Sequence, residues 1–579
     1  MKWTIVPADA AAVERLVREI PLTRPAARVL CSRGYGELEQ ARRFLEPRLS
    51  DLHDPFLLAG MEAAAARVRR AIDGKERILL YGDYDVDGTS AIVILKKGIE
   101  LTGGQASFHV PHRLRDGYGM RSEVVEEAAA SGVSLIISVD TGIRANDVVR
   151  HASALGIDVI VTDHHLPEEE LPPALAVLNP NRRDCSYPEK NLCGAGVALK
   201  LVHALFMRSG FDAGRRERLI DSFLKLVAIA TVADVVPLTG ENRVIVKRGL
   251  EGLDRVRNAG LRALLDVSGF GEGTCPSAGQ VAFRVAPRIN AAGRMDTASD
   301  VIDMFLTDDP ARARDLASKL HDLNQERQQT EAEIARAILE QCVEQPVTDR
   351  DVALVFAGEG WHRGVVGIVA SRVVERFHRP AFVLGIENGV AQGSGRSISV
   401  FHLLEALESM PDLFTKFGGH RQAAGVTLSA ERVEEFRARL RDYAGVRLTP
   451  ADFERELEID ADVRLDEITD QAVCDILRLA PFGYGNPSPM FAVRQAEVAD
   501  APEVRNEKHV FLRLRGNSRT VRVKAWNFAD RLNELAHGSV IDAAIQFEED
   551  AYSAARGYAP WQAVLKDIQR AGAVADSKS

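Results

Sequence analysis

The chain has 579 residues, 46% of them hydrophobic and 27% charged, with a formal net charge of −10 and a pI of about 5.9. This composition is typical of a soluble globular protein, and at ~150 residues per domain the length predicts three or four domains. It excludes a protein whose overall charge attracts polyanions, so any nucleic-acid binding must come from local basic surfaces.

No apolar run reaches the ~18 residues of a membrane-spanning helix, and the N-terminus lacks the apolar core of a signal peptide. The six cysteines are scattered without a CxxC pair. This is typical of reduced thiols and argues against a disulfide framework or a zinc site. We therefore expect a cytoplasmic protein without membrane contact.

Residues 1–75 alternate Ala- and Arg-rich helical segments with short breaks, which predicts an N-terminal helical region. From residue 76 to about 260, apolar runs alternate with helical patterns. Strands that alternate with helices are typical of a doubly wound parallel sheet, and hence of the α/β class. The predicted strands are Ile78–Tyr81, Leu135–Val139, Val159–Val161 and Leu175–Leu178.

The first predicted strand is followed by three carboxylates at alternate positions, Asp83, Asp85 and Asp87. Such positions point to one side of an extended chain, and three neighbouring anions repel one another unless a cation neutralises them. The stretch DYDVDG also matches the start of an EF-hand loop, but Ile94 stands where that loop needs a bidentate Glu. A P-loop is disfavoured because no Lys precedes Thr89. A solvated acidic turn is the remaining alternative.

Three further segments end in Asp or His. The second strand is followed by Asp140, the third by Asp163, His164 and His165, and a later helical segment by Asp234. One such Asp is usually a helix cap, but the carboxyl ends of parallel strands share one edge of a sheet. Carboxylates with imidazoles suit Mn²⁺ or Mg²⁺, and a shared carboxylate can bridge two ions ~3.5–4 Å apart. The combination predicts a divalent-metal centre.

Residues 261–345 are predicted as a connector. Its segment 281–295 places arginines and Asn290 among small, apolar residues. Buried cations are costly unless they contact acids or phosphates, and we favour phosphate contact by Arg288 and Arg294. Apolar positions from Pro310 to about Val343 have helical spacing, which predicts one long or broken helix that links two halves of the protein.

Residues 346–447 are predicted as a second α/β unit, with strands at Val352–Phe356 and Ala381–Leu384 and a helix at Val365–Phe377. Glycine lets a backbone approach a phosphate closely, and Ser and Arg supply hydrogen-bond donors. Each Gly-rich element of the unit would by itself be a turn. These elements are WHRG at 361–364, GSGRS at 393–397 and GGHR at 418–421.

Strand-like segments dominate from residue 453 to 570, and residues 571–579 read as a short tail. Segments 510–515 and 520–526 predict a hairpin with basic faces. Such a face with aromatics is typical of an oligonucleotide/oligosaccharide-binding (OB-like) barrel that tracks a single strand, and a solvated charged face is the alternative. The basic residues are Arg513, Arg515, Arg522 and Lys524.

The metal motifs DYDVDG, SVDTG, TDHH and TVADVVPL, in this order, resemble the DHH phosphoesterase superfamily. Four longer segments are similar to those of the RecJ family of single-strand-specific 5′→3′ exonucleases. The metal motifs identify only the superfamily, whereas the similarity to RecJ extends over nearly the whole chain. The four segments are FLEPRLSDLHDPFLL, VPHRLRDGYGM, FRVAPRINAAGRM and FGGHRQAAGVTL.

The resemblance implies how the ligands divide between the ions. Asp83 and Asp85 would serve the first ion, Asp140 would bridge, and the second ion would have the ligands Asp87, His164 and Asp234. His165 would lie beside the scissile phosphate rather than bind an ion directly. The residues implied in catalysis are His165, Asp140, Arg288 and His420.

The resemblance also implies contacts to DNA. In the loop 110–119, which could also be an ordinary Gly-rich turn, Arg113 and Tyr118 would hold the 5′-terminal phosphate, for which an Arg fork is well shaped. His112 departs from the Asn of many relatives. The second α/β unit, residues 346–447, resembles the DHH-associated domain of this superfamily. The other implied DNA contacts are Arg288, Asn290 and Arg294 in the connector, and Ser394, Arg396, Gly419 and His420 in the DHH-associated domain.

The predicted function is removal of 5′ nucleotides from single-stranded DNA by two-metal hydrolysis, in repair and recombination. The protein would be a monomer, and the suggested protein partners are a single-strand-binding protein and a RecQ-type helicase. One alternative is a DHH phosphodiesterase for short oligonucleotides or cyclic dinucleotides, whose activity would survive deletion from about residue 453. A RecJ-like scaffold without catalysis is disfavoured, because every expected ligand position carries Asp or His.

Overall fold

The structure of the protein is a computed structural model that describes residues 1–113, 115–117, 119–571 and 576–577. The side chains of residues 551, 552, 576 and 577 are not described. Tyr118, predicted to hold the terminal phosphate, lies outside the described residues. No helix in the described part of the chain is long and apolar enough to cross a membrane.

The N-terminal region packs against the C-terminal barrel. Leu16, Leu30 and Phe44 lie in the same hydrophobic core as barrel residues such as Phe491. Its first strand, which the helical prediction lacked, pairs in parallel with a strand more than 450 residues away at Glu456–Ile459. The elements are β1 (Lys2–Ile5), α1 (Ala10–Glu19), α2 (Arg24–Ser32) and α3 (Leu38–Leu45).

The first α/β lobe contains the predicted parallel sheet. Its order is β3-β2-β4-β5-β6 with every pair parallel, which confirms the doubly wound α/β class. The half-exposed edge strand β3 was not predicted, because it lacks an apolar run. The elements are α4 (Met61–Asp73), β2 (Arg77–Gly82), α5 (Val86–Leu101), β3 (Ala106–His109), α6 (Ser122–Ala130), β4 (Val133–Val139), α7 (Asn146–Ala154), β5 (Asp158–Thr162), β6 (Ala176–Leu178), α8 (Gly194–Met207), α9 (Ala213–Ala233) and α10 (Gly240–Glu251).

The connector is helical and joins the two α/β lobes through one unbroken helix of 35 residues. Ala317 and Leu320 of this helix pack in the core of the first lobe, whereas Ile334 and Ile338 pack in a core of the second. The elements are α11 (Ala259–Val267), α12 (Ala278–Gln280), a π-helical turn (Val281–Val285), α13 (Ala286–Met295), α14 (Ser299–Leu306) and α15 (Pro310–Glu344).

The second α/β lobe has a mixed sheet of order β10-β11-β9-β8-β7. The elements are β7 (Leu354–Glu359), α16 (Val366–Phe377), β8 (Ala381–Glu387), β9 (Val390–Arg396), α17 (Leu403–Glu408), β10 (Lys416–Gly419), β11 (Ala423–Ser429) and α18 (Val433–Gly445).

Two Gly-rich elements of this lobe, which sequence alone favoured as turns, lie largely on strands. GSGR ends the central strand β9, and Gly418 and Gly419 end β10. A Cβ at Gly395 would approach the Phe382 ring to 2.5 Å, so glycine is kept in this strand for close packing rather than for a turn.

The C-terminal region is a barrel of order β13-β14-β18-β19-β17-β16-β15, closed by pairing of β14 with β16. The predicted hairpin is present, with Arg513 opposite Arg522. In the segment predicted as a tail, residues 576–577 pair with β1. The elements are β12 (Glu456–Ile459), β13 (Ala461–Val463), α19 (Asp470–Leu477), β14 (Phe491–Val498), β15 (Glu503–Arg505), β16 (His509–Arg515), β17 (Thr520–Ala525), β18 (Val540–Glu549), α20 (Ala551–Ala554), β19 (Trp561–Arg570) and β20 (Asp576–Ser577).

Candidate metal centre and substrate cleft

The acidic residues converge at the carboxyl edge of the first sheet. Asp83 follows β2, Asp140 follows β4, and the Asp163–His165 triplet follows β5, so three adjacent strands deliver them to one place. Asp234 arrives from another direction as the C-cap residue of α9. The structure thus brings together every residue that the sequence suggested as a metal ligand.

The six predicted ligands divide into two groups, and Asp140 and His164 also lie in a third group with His165. Asp83, Asp85 and Asp140 make one group, and Asp87, His164 and Asp234 make the other, with the atoms of each group within 4.8 Å of one another. The groups meet where Asp140 Oδ1 lies 3.2 Å from His164 Nε2, which is itself 3.7 Å from Asp234 Oδ2. This geometry matches two adjacent ions with Asp140 between them.

Two of the carboxylates are positioned by helix N-termini. Asp85 caps α5, since its Oδ1 accepts hydrogen bonds from the N–H groups of Asp87 (2.9 Å) and Gly88 (3.0 Å). Asp87 accepts from the N–H of Gly194 at 2.5 Å and of Ala195 at 2.8 Å, at the start of α8. Backbone donors and helix dipoles thereby hold both anions in place before any ion binds.

Asp140 has a strained backbone and a crowded side chain. Its φ of 58° lies in the left-handed region, which non-glycine residues adopt at a cost and mainly at functional sites. A Cβ at Gly194 would lie 2.6 Å from the Asp140 Cβ and 2.8 Å from its Oδ1. Glycine at position 194 is therefore required for α8 to approach the acid cluster.

Without a cation, the cluster is unfavourable for charged carboxylates. Burial, and then the charges of neighbouring aspartates, raise the pKa of Asp83 and of Asp140 well above the ordinary carboxyl value. Burial also raises the pKa of Asp87, although His164 opposes this, and the pKa of Asp234 rises to about 9. Divalent cations would keep all four groups ionised at neutral pH.

The unsatisfied atoms at the centre fit metal binding. Among the described residues, the buried atoms Asp83 Oδ1, His164 Nε2 and Asp234 Oδ2 have no hydrogen-bond partner. Burial lowers the pKa of His164, which favours the neutral imidazole that a metal requires. Carboxylate oxygens with one imidazole are a donor set that suits Mn²⁺ and Mg²⁺.

His165 is oriented by Asp163, a residue whose role the sequence analysis missed. The buried Asp163 Oδ1 lies 2.8 Å from His165 Nδ1 and also accepts from the N–H of His164, while Oδ2 accepts from the N–H of Ile143. Burial acts to lower the pKa of His165, but the hydrogen bond and charge of Asp163 outweigh it and raise that pKa. An acid directly before a His pair is the signal that could have indicated this orienting role.

A cleft of about 840 Å³ opens beside His165. His420 of the second lobe lines it opposite His165, together with Arg144 and Asn146 at the start of α7. Burial, Arg144 and His165 lower the pKa of His420, which leaves it neutral near pH 7. The cleft thus lies next to the acid cluster, between the two lobes, and Arg144 is a lining cation that the sequence analysis did not select.

A cluster of arginines lies close to the acids, since Arg113 acts on the pKa of Asp83 and Asp85 acts on the pKa of Arg294. Arg113 is 4.9 Å above the Tyr84 ring, and Arg294 donates to the Gly364 carbonyl at 3.0 Å. Burial, and then Arg113 and Arg327, lower the pKa of Arg294 to about 10. Among the described residues, no carboxylate lies within 4 Å of a nitrogen of Arg113, Arg294 or Arg396. Such a cluster favours an anion.

Ser394 and Arg396 share one face of β9 and lie against Gly367 near the start of α16. A Cβ at Gly367 would be 3.2 Å from Arg396 Nη2 and 3.4 Å from Ser394 Oγ. A hydroxyl, a guanidinium and a helix N-terminus are the usual partners of phosphate. Arg113 lowers the pKa of Arg396 in addition to burial, so this pair belongs to the same cationic cluster.

Two connector residues that were predicted to contact DNA form hydrogen bonds within the protein. Arg288 Nε donates to His321 Nδ1 of α15 at 3.2 Å, which ties α13 to α15. Asn290 Oδ1 accepts from the N–H of Val86 at 3.2 Å and so supports the start of α5 beside the acids. The structure assigns Asn290 a positioning contact and brings Arg288 to α15, while contact of either with DNA stays a prediction.

The basic residues of the barrel are mostly paired with acids. Arg513 lies 3.1 Å from Asp500, Arg515 contacts Glu497, and Lys524 Nζ lies 3.8 Å from Asp550. Arg522 differs, because no carboxylate of the described residues lies within 4 Å of its guanidinium, although its charge helps to lower the pKa of Glu503. Its guanidinium carbon lies 5.9 Å from the centre of the Phe511 ring. The basic face is therefore weaker than its sequence indicates.

Comparisons with known proteins agree with this geometry. Family models described as the DHH family N-terminal domain, the DHHA1 domain and the RecJ OB domain match residues 77–231, 349–445 and 459–566. A Bacillus subtilis single-stranded-DNA-specific exonuclease RecJ is 39% identical over 93% of this chain and 68% of its own length. The corresponding Dickeya dadantii protein is 40% identical over 82% of this chain and 84% of its own length.

Solved structures give the same result. The crystal structure of RecJ in complex with Mn²⁺ from Thermus thermophilus aligns with a TM-score of 0.84 and 31% identity, over 99% of this chain and 80% of that one. The Mg²⁺ complex from the same organism aligns with a TM-score of 0.78 and 30% identity, over 99% of this chain and 79% of that one. The similarity includes both α/β lobes, the connecting helix and the barrel.

Proposed function

The chain belongs to the RecJ family of DHH phosphoesterases, and on that premise we propose that it is a single-stranded-DNA-specific exonuclease. It degrades strands from 5′ to 3′ into 5′-mononucleotides, in DNA repair and recombination. The observation that carries the proposal is the pair of ligand groups that meet at Asp140 and His164. A mononuclear or purely structural site would not need six ligands in two groups.

The six ligands would hold two divalent ions, Mn²⁺ or Mg²⁺. Asp83 and Asp85 would serve one ion, Asp87, His164 and Asp234 would serve the other, and Asp140 would be shared. When bound, the ions supply a hydroxide near neutral pH and stabilise charge on phosphorus and on the leaving 3′ oxygen.

His165 acts beside the scissile phosphate. Its Nδ1 faces the Asp163 carboxylate at 2.8 Å, which leaves Nε2 directed away from that carboxylate. The raised pKa of His165 favours the imidazolium, a donor suited to a phosphate oxygen that gains charge in the transition state. His420 lines the cleft from the opposite lobe and completes the wall around that phosphate.

The arginine cluster sets the polarity of digestion. A terminal 5′ phosphate carries more negative charge than an internal phosphodiester, and Arg113, Arg294, Ser394 and Arg396 form an anion site beside the acids. A strand bound there by its 5′ end would present its first phosphodiester to the ligand groups. Tyr118 remains a proposed member of this site, as do Arg288, Asn290 and Gly419 along the strand.

The barrel and the interlobe cleft bind the rest of the strand. Arg522 is the proposed barrel cation with the greatest effect, because Arg513, Arg515 and Lys524 are close to acids. A single-strand-binding protein and a RecQ-type helicase are the proposed protein partners. The proposed state is a monomer in the cytoplasm.

The decisive experiment is Mn²⁺-dependent digestion of long single strands labelled at either the 5′ or the 3′ end. Wild type should release the 5′ label first. Asp140→Ala should lose activity by about 10³-fold or more, because Asp140 belongs to one ligand group and lies 3.2 Å from His164 of the other. Asp442→Asn, at an exposed acid of α18, is the control and should match wild type. Release of the 3′ label first, or an active Asp140→Ala protein, would refute the proposal.

Digestion of short oligonucleotides separates this function from the main enzymatic alternative. A phosphodiesterase for short oligonucleotides or cyclic dinucleotides should cleave them at least as fast as long strands. The exonuclease should instead prefer long strands that reach the barrel, and Arg522→Ala should reduce that preference. A preference for dinucleotides in the wild type would favour the alternative.

A further inference from the structure

A loop that precedes β14 of the barrel contacts the turn that carries Asp234. Residues 234–238, here named the ligand turn, follow α9, and residues 483–486, here named the clamp loop, lie between α19 and β14. The Leu238 N–H donates to the Tyr484 carbonyl at 2.7 Å. A part of the chain that is almost 250 residues away thus contacts the segment of one metal ligand.

The clamp loop is itself held firmly. Gly483 and Asn486 exchange two backbone hydrogen bonds of 2.8 and 3.1 Å. The Asn486 side chain is 1% exposed, donates to the carbonyls of Leu479 and Pro481, and accepts from Arg33 Nη1 at 2.6 Å. Both the barrel and the N-terminal region therefore determine where this loop lies.

The ligand turn is anchored at its far end, where Leu238 is buried in the core of the first lobe, but its backbone nearer Asp234 is strained. Val235 has a φ of 58° and is 63% exposed, an unfavourable backbone conformation for a β-branched residue with no burial to offset it. Pro237 has no N–H, so Leu238 supplies the next backbone donor, and its acceptor is Tyr484. On the other side, Asn242 of α10 donates to the Pro237 carbonyl at 3.1 Å.

The two segments are in direct contact without spare room. Gly485 has a φ of 74°, and a Cβ there would lie 2.8 Å from the Pro237 Cβ and 3.0 Å from its Cα. Both distances are shorter than ordinary carbon contacts of ~3.5–4.0 Å. A displacement of the clamp loop toward the first lobe must therefore move the ligand turn.

We propose that the clamp loop is a positioning element for Asp234, so that docking of the barrel completes the second group of metal ligands. The inference rests on the proposed metal centre and gives the barrel a role besides strand binding. It also changes how an experiment that deletes the chain from residue 453 onward must be interpreted. That deletion removes the support of a metal ligand, so loss of activity would not distinguish an exonuclease from an oligonucleotide phosphodiesterase.

The test compares two substitutions in the full-length protein. Gly485→Ala adds a methyl group against Pro237, whereas Gly538→Ala adds one in the same barrel at a similar φ of 79° with no atom within 4 Å. Mn²⁺ binding is followed by electron paramagnetic resonance, and DNA digestion is measured as Mn²⁺ is varied. We expect Gly485→Ala to weaken the binding of one of two Mn²⁺ ions by about tenfold, the usual effect of disturbing support around a metal ligand.

The Mn²⁺ affinities and activities of these variants decide whether the clamp loop positions Asp234. Digestion by Gly485→Ala should recover at saturating Mn²⁺, which a general loss of folding would not allow, and Gly538→Ala should bind Mn²⁺ like wild type. Equal Mn²⁺ affinity of the two variants would overturn the inference, whereas wild type that binds no Mn²⁺ would overturn the metal centre itself. Should Gly485→Ala fail to fold, Gly483→Ala replaces it, because Gly483 does not have a left-handed backbone and its Cβ would meet only the Leu238 side chain, at 2.7 Å from Cδ1 and 3.4 Å from Cγ. It should then show a smaller shift in Mn²⁺ affinity in the same direction, and unchanged affinity would overturn the inference.

Discussion

Gly194→Ala should separate activity from stability. The added Cβ would lie 2.6 Å from the Asp140 Cβ and 2.9 Å from its Cγ, where carbon atoms normally stay ~3.5–4.0 Å apart. Asp140 or the start of α8 must therefore move by about 1 Å. The N–H of Gly194 also holds Asp87 at 2.5 Å, so a shift of α8 would disturb a ligand of each group.

The expected loss of stability is small, whereas the expected loss of activity is large. Overpacking costs about 1–3 kcal/mol, and replacing glycine in a helix returns about 0.4–1 kcal/mol, so the net loss of unfolding free energy is about 2.6 kcal/mol or less. A displacement of ~1 Å at a reacting centre costs about 10² in rate, and metal–ligand distances tolerate only ~0.2 Å. We expect a folded protein whose rate of digestion falls about 10²-fold.

The assay is Mn²⁺-dependent release of a 5′ label from single-stranded DNA, alongside thermal unfolding. Gly196→Ala is the matched control in the same helix, because its Cβ would meet only the Leu192 side chain at 3.3–3.8 Å. The control should keep activity within about threefold of wild type. A Gly194→Ala protein that digests DNA at more than a third of the wild-type rate would show that Asp140 is not held as closely as the structure indicates.

Three further predictions concern protonation, metal binding and the barrel. Asp163→Asn removes the charge that raises the pKa of His165. The rate of digestion at pH 8 should therefore fall about 10²-fold, and the pH profile of the rate should move to lower pH. An unchanged profile would contradict the proposal that Asp163 raises the pKa of His165. In the folded protein the pKa values of Asp83, Asp140 and Asp234 are raised, so without metal the folded state binds more protons than the unfolded chain. The metal-free protein therefore loses stability as the pH rises from about 4 toward about 9. The increase in melting temperature on adding Mn²⁺ should therefore be larger at pH 8 than at pH 5.5, and a pH-independent increase would argue against the cluster as its cause. Arg522→Ala should lower the slope of log affinity for single-stranded DNA against log salt concentration by about 0.7. Arg515→Ala should change this slope less, because the Arg515 guanidinium contacts Glu497, and equal effects of the two substitutions would contradict that pairing.

Much of the site could be predicted because it depends on local order along the chain. Acids directly after an apolar run identified Asp83, Asp85 and Asp87, although the extended conformation assumed for them was wrong, because Asp85 caps α5 and Asp87 lies in its first turn. Asp and His at the ends of β4 and β5 identified Asp140, His164 and His165. Parallel strands must end at one edge of the sheet, so sequence alone sufficed to predict that these side chains meet. The 35-residue connecting helix followed from its apolar spacing in the same way.

Contacts between distant segments could not be predicted. The pairing of β1 with β12, the approach of Gly194 to Asp140 and the hydrogen bond from Leu238 to Tyr484 join residues that no local pattern relates. The GSGR segment was expected as a turn because glycine is depleted in strands, but packing against Phe382 required it in β9. The acids that pair with Arg513, Arg515 and Lys524 likewise come from other strands and loops.

The sequence by itself therefore determined the α/β class, the order of the lobes and the meeting of the strand-end acids at one edge of the first sheet, since each depends on periodicity and strand direction. Only the tertiary structure decided how those side chains are held. Asp163 orients His165, two helix N-termini hold Asp85 and Asp87, and we propose that the clamp loop positions Asp234. The physical reason is that hydrogen bonds and close contacts depend on distances in space, which a one-dimensional pattern does not contain.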